Sequence, residues 1–191
     1  MKRQELEHIL RAASAITNTD RLLVIGSQAI LFCIGRDVDL PSVVTYSEEA
    51  DIAPLDGDEK VIDLIDGLIG EGSMFQDSFG YYAQGVEPKT AILPDGWKDR
   101  LVAVKNENMG GCTGLFLEIH DLLVSKYCAG RPKDREYCKA IAQTGFASGK
   151  TLLGRLDKTE AHEKVLEMAR HAILSDYPSM SQDCDSDLGP K

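Results

Sequence analysis

With 191 residues the chain can hold one domain with a full hydrophobic core, alone or with a small helical appendage, but not two large independent domains. Hydrophobic residues at 43% and charged residues at 27% are ordinary for a globular protein and exclude wholesale disorder or a membrane protein. A formal net charge of −10 excludes broad, unspecific wrapping of nucleic acid, which needs clustered Lys and Arg, yet leaves room for a local basic cleft.

The start of the chain, Met1-Lys2-Arg3-Gln4-Glu5, is charged and lacks a signal-peptide core. No stretch approaches the ~18 apolar residues that span a bilayer, so the expected location is the cytoplasm, with no membrane contact. Leu6, Ile9, Leu10 and Ala13 recur at helical spacing and predict a helix from about Lys2 to Ile16, broken by Asn18-Thr19-Asp20. Leu22-Leu23-Val24-Ile25 is a short apolar run ending in Gly26-Ser27 and predicts a buried strand and tight turn. A helix from Gln28 to Ile34, closed by Gly35, is expected next.

After a Pro-containing loop, Tyr46 to Pro54 reads as a second strand, and Val61, Ile62, Ile65, Leu68 and Ile69 predict a helix over 60–69. Further short strands are expected at residues 80–84, 90–93, 101–104 and 115–117. Beyond Glu118 the pattern is helical, over about 119–129, 133–142 and 159–174, with Gly130-Arg131-Pro132 dividing the first two. The predicted class is therefore α+β. Residues 1–118 would form a mixed β-sheet core flanked by helices, and 119–177 a helical subdomain completing its site. Residues 178–191 read as a disordered acidic tail, with Asp183, Asp185 and Asp187 among Ser, Gly and Pro.

Three features carry possible chemistry. The Gly26-Ser27 turn follows a buried strand and opens a helix, where free backbone N–H groups suit a phosphate; the alternative is a plain N-cap role for Ser27. Glu49 and Asp51 stand two apart on a strand and so share a face, with Ala50 and Ile52 on the other. Side-by-side carboxylates repel unless solvated or bridged by a cation, and hard oxygen ligands of this kind suit Mg²⁺ held jointly with substrate phosphates. Lys126 falls on the apolar stripe of its helix, after Ile119, Leu122 and Leu123, where it either snorkels to the surface or reaches into a cleft. Asp134 shares a face with Tyr137, Cys138 and Ile141, although an acid in a first helical turn also complements the helix dipole.

Other motifs fall away. Gly145-Phe146-Ala147-Ser148-Gly149-Lys150-Thr151 has three residues between its glycines where a Walker loop needs four, and it follows a helix; it reads as an interhelical linker. His8, His120, His162 and His171 lack metal-ligand spacing, and no nucleophile elbow is present. Cys33, Cys112, Cys128, Cys138 and Cys184 are odd in number and scattered, as expected of reduced thiols that pack as small hydrophobes.

From about Leu22 to Ala142 the residues resemble nucleotidyltransferase-like proteins akin to the AbiEii and MenT toxins, within the DNA polymerase beta-like nucleotidyltransferase superfamily. The resemblance rests on Val24-Ile25-Gly26-Ser27-Gln28-Ala29, on Ser47-Glu48-Glu49-Ala50-Asp51-Ile52, and on Asp121 to Lys126 leading into Ala129-Gly130-Arg131-Pro132-Lys133-Asp134. It implies that Gly26 and Ser27 hold nucleotide phosphates and that Glu49 and Asp51 bind Mg²⁺. It also implies that Lys126 and Asp134 complete the catalytic site, with Lys126 and Arg131 on the nucleotide. The implied partners are a nucleoside triphosphate, a tRNA or protein acceptor, and a cognate antitoxin. Three departures stand out: Glu49 where Asp is usual, a long interval from Ser27 to Glu49, and no assignable third carboxylate, Glu87 and Glu118 being its weak candidates. The alternative function is a catalytically inactive member of the fold acting as a binding or regulatory partner.

Overall fold

The computed structural model describes residues 1–35 and 38–178; the predicted acidic tail beyond Pro178, with Cys184, lies outside the described residues. The first helix, α1 (Arg3–Thr17), buries Leu6, Ile9, Leu10 and Ala13 and ends at Asn18, whose φ of 53° is the left-handed conformation an Asn tolerates best after Gly. Strand β1 (Arg21–Val24) leads into a 3₁₀ turn at Ser27–Ala29 and a single α-turn, α2 (Ile30–Cys33). The helix expected over 28–34 is thus two short turns of different winding, too brief to build a full helix dipole.

The Pro-containing loop carries one helical turn, α3 (Ser42–Thr45), so β2 (Glu49–Pro54) starts later than its apolar pattern implied. Next come α4 (Glu59–Ile69), capped by Asp58, and α5 (Met74–Phe79), capped by Ser73. The remaining strands are β3 (Tyr82–Gly85), β4 (Val102–Lys105) and β5 (Thr113–Phe116). Residues 90–93 form no strand: Thr90 ends a 3₁₀ turn and the segment after it joins no ladder. The helices α6 (Ile119–Ala129) and α7 (Pro132–Ala142) fall where the periodicity put them. Ser148 caps an unforeseen helix, α8 (Gly149–Leu156), so only the first part of the rejected phosphate-loop look-alike is linker. The last helix, α9 (Glu163–Asp176), begins later than residue 159.

The five strands form one mixed sheet in the order β3-β2-β1-β5-β4. Strand β1 runs antiparallel to β2, pairing Leu22 with Pro54 and Val24 with Ile52, and parallel to β5 on its other side. β2 pairs β3 in parallel. The fold is α+β, with helices α1 and α4 against the sheet and α6 packed on α7, α8 and α9. One apolar core joins both parts, running from Leu6 and Leu10 through Leu23, Ile52 and Phe116 to Leu123, Ile141 and Ile173. Phe32 stacks on Phe116 at 4.2 Å between ring centroids, fixing the turn after β1 to the end of β5. The antiparallel register has one further consequence: where β1 ends, the backbone must cross the side chains at the start of β2, which are the acids.

Candidate nucleotide cleft

The crossing is tight. Ile25 N donates to the Asp51 carbonyl at 3.2 Å, and a Cβ added at Gly26 would lie 1.6 Å from Asp51 Oδ2. Gly26 is therefore required by close approach rather than by an unusual dihedral. Ser27 does not act as a side-chain cap of the turn; it lines an open cleft of about 890 Å³ together with Gly26, Glu49, Asp51, Lys126, Arg131 and Asp134. All seven residues singled out from the sequence meet in this one space.

Within it the acids of β2 stand across from basic residues, with Asp134 and Glu136 also lining the helical side. Glu49 and Asp51 share the β2 face, where the Tyr82 hydroxyl donates to Glu49 Oε2 at 3.4 Å. Burial, and next the negative charge of Glu49, push the Asp51 carboxyl up to about 6. Facing them stand Lys126 on α6, Arg131 at the cap before α7, and Lys133 on α7. Asp134, 1% exposed, accepts from Arg131 Nε at 2.6 Å and from Lys126 Nζ at 3.2 Å. Its burial raises the carboxyl, but the Arg131 bond and the Lys126 charge outweigh that and hold its pKa below the usual carboxylate range. Asp134 thus grips two cations rather than facing the acids. Lys126 does not snorkel to solvent: its Nζ lies 4.4 Å from the Tyr137 ring centroid, and the Tyr137 hydroxyl donates to the Ser27 carbonyl at 2.9 Å.

Comparison with family models finds a match over residues 4–177 to a family described as "Nucleotidyltransferase of unknown function (DUF6036)". The chain belongs to this family. Comparisons with curated proteins and with solved structures returned no significant match. The chain is thus a nucleotidyltransferase-family protein with a mixed five-stranded sheet, and no helix among the described residues is long and apolar enough to cross a membrane.

The third acid is missing from the strand where it would be nearest. Asp51 pairs with Gln84 and Glu49 with Tyr82 across the β2–β3 ladder, so the β3 face beside the carboxylates holds an amide and a phenol. Neither weak candidate lines the cleft: Glu87 pairs with Lys89, and Glu118 caps α6 while holding His120 and Arg155. The sequence placed Tyr137 on the face of Asp134 without giving it a role, and it assigned none to the lining residues Lys133 and Tyr46. Nothing in the linear pattern marks Tyr46, because its place depends on how the loop before β2 folds over the cleft.

Proposed function

We propose that this protein transfers a nucleoside monophosphate from a nucleoside triphosphate to a hydroxyl of an RNA or protein acceptor. In that reaction the acceptor oxygen bonds the α-phosphorus, the bond to pyrophosphate breaks, and the hydroxyl proton passes to water. The observation that carries the reading is the cleft itself: a carboxylate pair on β2 and three cations from α6, α7 and the turn between them line one space of about 890 Å³.

The carboxylate pair fits a hard divalent cation. Among the described residues no group of three or more His, Cys, Asp or Glu is placed to hold a metal. Glu49 and Asp51 would therefore be the protein's two ligands for Mg²⁺, with phosphate oxygens and water filling the rest, as is usual for that ion. Burial first and the neighbouring Glu49 charge second raise the Asp51 carboxyl, and a bound cation would offset both. When bound, Mg²⁺ supplies charge neutralisation at the triphosphate. Lys126 and Arg131 would hold the leaving pyrophosphate oxygens, Lys133 would add charge at the rim, and Asp134 positions the first two. Gly26 lets the backbone pass close to Asp51, and Ser27 faces the same space.

The resemblance of the motifs to the AbiEii and MenT toxins supports a toxin-antitoxin setting, with an antitoxin as partner. One observation favours a second reading: Gln84 beside Asp51 suits a family member that binds nucleotide but does not transfer it. A single assay separates the two. Incubated with labelled nucleoside triphosphates, magnesium and total RNA or protein extract, the wild type labels a discrete acceptor, and Glu49→Gln and Asp51→Asn label at least tenfold less. Magnesium-dependent nucleotide binding without labelling under any of the four nucleotides would establish the non-catalytic reading instead.

A further inference from the structure

The cleft is lined by apolar residues as well as by charged ones. Besides the cations and carboxylates, Val43, Tyr46, Val86, Ala91 and Ile92 border it. A nucleoside triphosphate has the same two characters, with charge at the phosphates and a flat apolar face on the base. Resting on the nucleotide reading above, we propose that Tyr46 is the platform on which the base of the bound nucleoside triphosphate stacks.

Tyr46 is 88% exposed, although an aromatic ring of this size normally covers itself on its own fold. It sits at the C-terminal cap of α3, within the turn that leads into β2, five residues before Asp51. That turn is tied to the carboxylate strand: the Ser47 hydroxyl accepts from Glu49 N at 3.2 Å and donates to the Glu49 carbonyl at 3.3 Å. The ring is thus held at the rim of the cleft by the strand that carries the acids. Tyr46 therefore borders the same space as Lys126, Arg131, Glu49 and Asp51, the groups that would hold the phosphates. The volume is also within the range of about 300–1,000 Å³ that small-molecule sites occupy. Stacking uses the face that every base has, so the platform strengthens binding of all four nucleotides and does not choose among them.

The test is isothermal titration of purified full-length protein with magnesium and either ATP or inorganic tripolyphosphate. Base–aromatic stacking of the usual strength predicts that Tyr46→Ala weakens ATP about tenfold, with tripolyphosphate unchanged. Tyr46→Phe, which keeps the ring and loses the hydroxyl, binds both like the wild type. Because the side chain is exposed, neither variant endangers folding. Equal affinity of wild type and Tyr46→Ala for ATP overturns the proposal, as does an equal loss for both ligands or a Tyr46→Phe defect matching that of Ala. Wild type that binds tripolyphosphate as tightly as ATP removes the base platform and leaves the phosphate site standing. Wild type that binds neither ligand removes both. An unchanged ATP affinity in Tyr46→Ala, with weakened binding of a single-stranded RNA oligonucleotide, assigns the ring to the acceptor and overturns the proposal.

Discussion

Two buried aspartates on neighbouring helices each sit between two cations, and they do different work. Asp121 on α6, fully buried, takes Arg100 Nε at 2.9 Å and Arg100 Nη2 at 3.1 Å, and also bonds Arg155. Arg100 Nη2 turns as well to the Asp95 carbonyl at 2.9 Å, and Arg155 also pairs with Glu118. These guanidiniums meet protein acceptors and tie α8 and the segment before β4 to α6. Asp134 on α7 is equally buried, but its partners Lys126 and Arg131 line the cleft, and the Arg131 side chain is 60% exposed. On the proposed reading, a cation available to a ligand differs from one consumed by the fold in whether it lines the cleft, not in whether it is paired.

The contrast is breakable. Asp121→Ala leaves two largely buried guanidiniums without their shared acceptor, and thermal unfolding should show a loss of about 3 kcal/mol, or roughly 6–12 °C for a chain of this size. Nucleotide binding measured well below the midpoint should be retained. Asp134→Ala should also cost stability, about 2 kcal/mol, because Lys126 is left buried although Arg131 can turn to solvent, but it should in addition lower nucleotide transfer on the order of 100-fold as the cations lose their orientation. Similar profiles for the two variants would abolish the distinction between a structural and a functional cation cluster.

A smaller effect sharpens the same comparison from the acidic side of the cleft. The Asp51 carboxyl titrates near 6 in the fold, above its ordinary value, so between roughly pH 4 and 6 the native state holds a proton that the unfolded chain has lost. Stability therefore falls as pH rises through this window, and the cost of the charged form is complete above it. Asp51→Asn should raise the melting temperature at pH 7.5 by about 3 °C, on the order of 1 kcal/mol, with the gain vanishing near pH 4. Calorimetric scans of the two proteins at both pH values check this. A destabilised Asp51→Asn at pH 7.5 would mean that Asp51 is held by the fold rather than set against it.

Much of this arrangement was legible in the sequence because it is local. The apolar run Leu22 to Ile25 before Gly26-Ser27 and the alternation around Glu49 and Asp51 fix two adjacent strands and the face of the acids. The stripe beneath Lys126 singles the residue out but leaves its direction open, and the three-residue spacing of Arg131 and Asp134 is compatible with the pairing that the fold makes. What was not legible depends on tertiary partners. Ala91, Ile92 and Leu93 look like a strand, yet they add to neither edge strand, β3 or β4, and instead Ala91 and Ile92 line the cleft. Met74 to Phe79 makes only six helical residues, too few for periodicity to declare itself, and α8 hides behind a glycine-rich start. That Lys126 and Arg131 meet on one carboxylate follows from the crossing of α6 and α7, which no spacing encodes.

The central claim is that the carboxylate pair and the cations opposite it form one nucleotide site. Isothermal titration of magnesium with ATP into wild type and Asp51→Asn tests it most directly, because the substitution keeps the shape of β2 and removes one of the two carboxylates. The wild type should bind, EDTA should abolish the binding, and Asp51→Asn should bind at least tenfold more weakly while remaining folded. Equal affinity of the two proteins for magnesium with ATP would contradict the account.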